Sequence, residues 1–153
     1  MKLAEALILR ADKQKKIEQL RARLTRSAKV QEGEKPPEDP KELLTELNTL
    51  IDELTILIKK INKTNSLTEF IKGESITDSL ATRDTIILKR SVLESLIQAT
   101  VIKLDRYSKS EVKFYSTVNI ANTQKETDFL SKQYRELDTK IQEKNWLVDL
   151  IED

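Results

Sequence analysis

The chain has no cysteine and no histidine. Without cysteine there is no disulfide framework, thiolate nucleophile or thiolate metal site. Without histidine the usual general base near neutral pH and the commonest transition-metal ligand are both missing. Carboxylate-bridged di-metal bundles usually carry Glu-x-x-His pairs, and this chain has no residue to complete one. Glycine (2), proline (3) and aromatic residues (three Phe, three Tyr, one Trp) are scarce. Gly33 and Gly73 stand alone, so no Gly-rich phosphate loop exists. No stretch approaches the ~18 consecutive apolar residues of a membrane span. Lys and Arg number 27 against 26 Asp and Glu, a net charge of +1. That balance gives no global reason to expect nucleic acid as a partner.

What remains is rich in Leu, Ile and charged side chains over 153 residues, the length of one ordinary domain. Straight side chains lose little rotamer freedom in a helix, and breakers are few, so the composition favours helices. The opening MKLAEALILRAD has the lysine and apolar crowding of an export signal, but Glu5 interrupts the run and Arg10 and Asp12 end it. Leu3, Leu7, Ile17, Leu20 and Leu24 recur on one helix face. The segment therefore reads as a retained amphipathic helix, and the expected location is cytoplasmic.

Helical patterning predicts four long helices, at about 2–30, 40–63, 78–107 and 119–150. QEGEKPPEDP, from Gln31 to Pro40, is a loop signal. Asp39 is a good N-cap, Pro40 suits the first helical position and Glu42 complements the helix N-terminus. Leu43, Leu47, Leu50, Leu54, Leu57 and Ile61 form a seam with alternating spacings of four and three, widened by Leu44, Ile51 and Ile58. Phe70, Ile71 and Ile76 around Lys72-Gly73-Glu74 predict a β-hairpin at about 67–76. The third helix, capped by Thr77, carries apolar residues on more than one face and is expected to be the most enclosed. EVKFYSTV, residues 111–118, reads as a short strand, and Asn119 as the cap of the last helix. The expected fold is mainly α: a single-domain antiparallel four-helix bundle with a small β-hairpin and one extra short strand. Two helical hairpins that pair between chains are the alternative.

Charge is segregated. Residues 1–30 hold nine basic and three acidic residues, whereas 31–58 hold two basic and eight acidic. Mutual neutralisation of two antiparallel helices accounts for this better than a phosphate-binding face, because no interleaved aromatics offer a stacking platform.

The search for chemistry yields no catalytic residue, metal ligand or cofactor site. Glu53, Glu94, Glu136 and Glu143 fall on solvated helix faces, and no EF-hand-like ladder is present. Arg106, Ser108, Lys109 and Ser110 bunch at a helix end and form a candidate anion site, although a helix C-terminus also attracts cations. Asn145 occupies a seam position beside Trp146, where a buried asparagine can set register or oligomer state. Val112, Phe114 and Val118 lie on the expected extra strand, whose edges a second chain could pair.

MKLAEALILRAD, KVQEGE, PEDP with the following ELL, DRYSKSE and ELDTKIQEKNW, in that order along the chain, resemble a bacterial family often labelled septicolysin. The resemblance implies a shared fold and a membrane-disrupting cytolysin. The residues themselves point instead to a non-enzymatic helical protein that associates with itself. A Mg²⁺-dependent carboxylate enzyme or nucleotide binder using 106–111 is a third reading.

Overall fold

Cap and breaker residues place the helix boundaries in the computed structural model, which describes residues 1–101 and 112–153. The described elements are α1 (Leu3–Arg26), α2 (Pro40–Leu67), β1 (Glu69–Ile71), β2 (Glu74–Ser75), α3 (Ile76–Ala99) and α4 (Ile120–Leu147). The fold is mainly α, with four helices and one small antiparallel hairpin among the described residues. The chain forms two compact units, one of residues 1–77 with 142–153 and the other of residues 78–141.

In the first unit, the Asp39 carboxylate accepts the Lys41 amide at 3.0 Å, with Pro40 in the first turn, and so starts α2 as expected. Leu3, Ala4, Ala6 and Leu20 from α1 are buried, as are Leu43, Leu57 and Ile61 from α2. Lys13 pairs with Glu53, and Arg23 with Glu38 (2.6 Å) and Glu46 (3.8 Å), so the two helices run antiparallel. The basic and acidic halves of the sequence thus meet along one helix pair. β1 and β2 are joined through Gly73, whose φ of +85° is a left-handed turn conformation that favours glycine. The Ile76 amide closes the hairpin onto the Thr68 carbonyl at 3.0 Å.

Residues at opposite ends of the sequence meet in this unit. Leu3 N–H donates to the Val148 carbonyl and Leu150 N–H to the Met1 carbonyl, each at 2.9 Å. The Lys2 ammonium donates to the Leu147 carbonyl at 3.1 Å and pairs with Asp149 at 2.8 Å, a cation on the open carbonyls of a helix C-terminus. Buried Thr64 uses its hydroxyl twice, donating to the Lys60 carbonyl (2.8 Å) and accepting from Ile151 N–H (2.9 Å).

In the second unit, Arg83 pairs with Asp138 (2.9 Å) and Lys89 with Glu126 (2.7 Å), which makes α3 and α4 antiparallel. Asn119 caps α4 by accepting the Asn122 amide at 3.0 Å. Thr127, Leu130 and Ile141 of α4 are buried.

The structure corrects several sequence-based boundaries. α1 ends at Arg26, where the Ser27 amide closes on the Arg23 and Leu24 carbonyls. α2 continues to Leu67 rather than ending near Lys63. α3 starts at Ile76, which puts Thr77 inside its first turn, and stops at Ala99 rather than near Tyr107. Thr100, Val101 and Ile102 are successive β-branched residues, which are stiff at χ1 and poor at extending a helix. The remainder of that expected helix, 102–107, lies outside the described residues. α4 stops at Leu147, and the residues after it leave the helix for the bridge to Met1 and Leu3.

The expected strand at 111–118 does not form over its described part, 112–118, which is irregular. The Ser116 hydroxyl accepts the Val118 amide (3.3 Å) and donates to the Val118 carbonyl (2.8 Å), satisfying locally the groups a ladder would use. The expectation for α3 also fails, since no residue from Leu80 to Ala99 is fully buried.

Candidate interaction surface

α3 carries apolar residues on several of its sides, with Asp78, Arg83, Asp84, Lys89, Arg90 and Glu94 between them. Leu80, Ile86, Ile87, Leu93 and Ile97 are half-buried, and Leu88, Val92 and Leu96 are exposed. A helix with apolar residues on several sides can bury more than one of its faces. Part of the α3–α4 seam is instead polar: Arg83 meets Asp138, and Arg90 reaches the Ser131 hydroxyl at 3.5 Å. Arg90 Nε is buried without a hydrogen-bond partner. Polar groups therefore occupy some of the inside of this helix pair while large apolar side chains face out.

The outward stripe follows helical spacing through Ala81, Leu88, Val92 and Ala99, with Thr85 and Ser95 between them. Leu88 is 65 % and Val92 60 % exposed. At the C-terminal end of the stripe a cleft of about 400 Å³ is lined by Leu96, Ala99 and Val101 of the α3 end and by Phe114, Tyr115 and Val118 of the following segment. Phe114 is 70 % and Tyr115 78 % exposed. Thr100, Ser116 and Thr117 also line this cleft, and the stripe meets it at Leu96 and Ala99, so together they form one largely apolar surface.

The structure places the sequence-predicted site residues in three groups. Arg106, Ser108, Lys109 and Ser110, with the rest of 106–111, lie outside the described residues. Val112 and Phe114 are exposed and Val118 is half-buried, on an irregular segment rather than a strand. Asn145 is buried at 4 % exposure, and Trp146 beside it is half-exposed in the first unit. The α3 stripe was missed because its residues read as the core of a bundle. The signal that could have found it was the placement of Arg83, Arg90 and Glu94 together on one face (i, i+7, i+11), opposite Leu88 and Val92.

A second cleft lies along the α1–α2 pair, lined by Lys16, Gln19, Arg23, Glu46, Thr49, Leu50 and Glu53. Its charges are largely engaged with one another through Arg23–Glu46, and Glu53 also pairs with Lys13. Nearby, hydrogen bonding to Arg23 holds Glu38 below the usual carboxylate range, with desolvation opposing and the Arg23 charge adding to the shift. A carboxyl whose folded pKa is depressed stabilises the fold above its unfolded pKa, about 4.3, and loses that contribution as pH falls through the folded value. The urea midpoint is therefore expected to drop as pH falls below about 4.3, and to drop less in Glu38→Gln. Equal slopes in the two proteins would remove Glu38 from the acid response.

Among the described residues, no three Asp or Glu side chains gather where they could hold a metal ion. No helix among them is long and apolar enough to cross a membrane.

The sequence pattern of a family described as a family of unknown function, DUF6847, matches residues 10–150. The chain belongs to DUF6847. A solved structure, the crystal structure of a functionally unknown conserved protein from Corynebacterium diphtheriae, is similar along the whole chain. It is 41 % identical, covers 99 % of each chain and has a TM-score of 0.91. No curated protein matches. These findings overturn the resemblance to a septicolysin family: DUF6847 carries no cytolysin name, and the similar structure is described as functionally unknown. The phrases that suggested the toxin label, from MKLAEALILRAD to ELDTKIQEKNW, run along nearly the same span that DUF6847 covers. The function of DUF6847 is unknown, and the Corynebacterium protein shares the mainly α fold of this chain.

Proposed function

We propose that this chain is a non-enzymatic, cytoplasmic helical protein that acts through protein–protein contacts, beginning with contacts to a second copy of itself. The observation that carries this reading is the exposure of Leu88, Val92 and Leu96 on α3, a helix with no fully buried residue from Leu80 to Ala99. Fully burying a Leu or Val side chain contributes roughly 1.5–3 kcal/mol. A second chain covering Leu88 and Val92 would recover a contribution that the isolated chain leaves unused. Phe114 remains in this proposal as an exposed apolar residue beside the end of α3, and Val112 as an exposed apolar residue of the same irregular segment. Trp146 is a further exposed candidate contact, and buried Asn145 beside it is a candidate register residue for that contact.

Size-exclusion chromatography with light scattering tests the reading. A dimer or larger species that persists to low micromolar concentration is expected. A monodisperse monomer at high concentration would remove self-association from the proposal.

A further inference from the structure

We propose that two copies pair through α3 in antiparallel orientation, about a two-fold axis passing between Leu88 and Val92. This rests on the self-association reading and specifies its surface and geometry. Leu88, Val92, Leu96, Val101, Phe114 and Tyr115 are the large exposed side chains of this largely apolar surface. At ordinary side-chain areas their exposed parts come to roughly 700 Å², near the ~800 Å² that each partner contributes to a standard interface. It exceeds the ~300–600 Å² patch typical of a monomeric soluble protein.

The order of sizes along the surface sets the direction of pairing. The N-terminal third of the stripe is small (Thr77, Ala81, Thr85), the middle is large (Leu88, Val92), and the far end carries Leu96 with Phe114 and Tyr115. In an antiparallel pair the aromatic end of one copy lies over the small end of the other. Ala81 then faces Ala99 of the second copy, and Leu88 faces Val92. A parallel pair would crowd both aromatic ends together and leave the small ends facing a gap. Electrostatics select the same direction. Asp84, which also pairs with Arg83 at 3.5 Å, is a charged residue on the edge of the stripe. Parallel pairing would set the two Asp84 carboxylates side by side, whereas the antiparallel pair separates them by roughly 18 Å along the axis, at 1.5 Å per residue. The helix dipoles also oppose one another only in the antiparallel pair. A two-fold axis presents the same patch on both copies, so the contact closes at a dimer.

The absence of cysteine from the chain allows a direct test. Ala81→Cys and Ala99→Cys proteins are prepared separately, mixed, allowed to exchange and oxidised gently. The mixed 81–99 disulfide is expected to form at least tenfold faster than either protein cross-links with itself. Faster self-cross-linking of each protein alone would overturn the antiparallel arrangement. A companion variant, Leu88→Asp with Val92→Asp, changes two exposed side chains and is expected to weaken dimerisation at least 100-fold with unchanged helical circular dichroism. A variant that stays dimeric by light scattering would overturn the α3 surface while leaving self-association standing. A wild-type protein that is monomeric throughout would overturn the self-association reading and this inference with it.

Discussion

Leu3→Ala should destabilise the first unit by about 2–5 kcal/mol, the range for truncating a fully buried leucine. Leu3 is wholly buried, with Ala4 and Ala6 buried beside it. Its N–H also holds the Val148 carbonyl at 2.9 Å, so the backbone around it cannot readily shift to fill a cavity. Trp146 is the single tryptophan and belongs to the same unit, so its fluorescence during urea unfolding reports the change. Because the chain has two compact units, this probe should be followed separately from circular dichroism, which averages over both. The expected result is a lower fluorescence midpoint with an unchanged slope. A change below about 1 kcal/mol would mean that the first residues are not part of the cooperative core.

Thr64→Val should cost about 1–3 kcal/mol, although valine has nearly the same shape as threonine. The Thr64 hydroxyl is the acceptor for Ile151 N–H, at 2.9 Å, in a part-buried setting. Valine removes that acceptor and leaves the amide unsatisfied. The hydroxyl also donates to the Lys60 carbonyl, but that carbonyl keeps its place in the helix, so its loss matters less. Thr64→Ser retains the oxygen and loses one methyl group, worth roughly 0.8 kcal/mol. Urea midpoints should therefore fall in the order wild type, serine, valine. The reverse order of serine and valine would show that the methyl contact outweighs the hydrogen bond.

The local grammar of the fold was legible in the residues. Asp39-Pro40 marked the start of α2, Asn119 the start of α4, and Lys72-Gly73-Glu74 the hairpin turn, and each does so in the structure. The opposite charges of 1–30 and 31–58 foretold an antiparallel pair, realised in Lys13–Glu53 and Arg23–Glu38. The candidate surface was less legible. EVKFYSTV has strand composition, yet strand propensity measures fit to a partner, and its described residues show no pairing strand. Leu88 and Val92 look like core in any helical pattern, because periodicity reveals which residues share a face and not what covers that face.

The sequence by itself determined that this protein is helical, where most of its helices begin, and which chemistries are closed to it. Those properties depend on residue type and on neighbours within one or two turns. Tertiary structure decided the rest: that Leu3 is bound into the core, that Thr64 holds Ile151, that 112–118 is not a strand, and that α3 keeps an apolar face uncovered. Apart from the locally satisfied 112–118 segment, these turn on contacts between residues far apart in the chain, whose geometry exists only once the helices have packed.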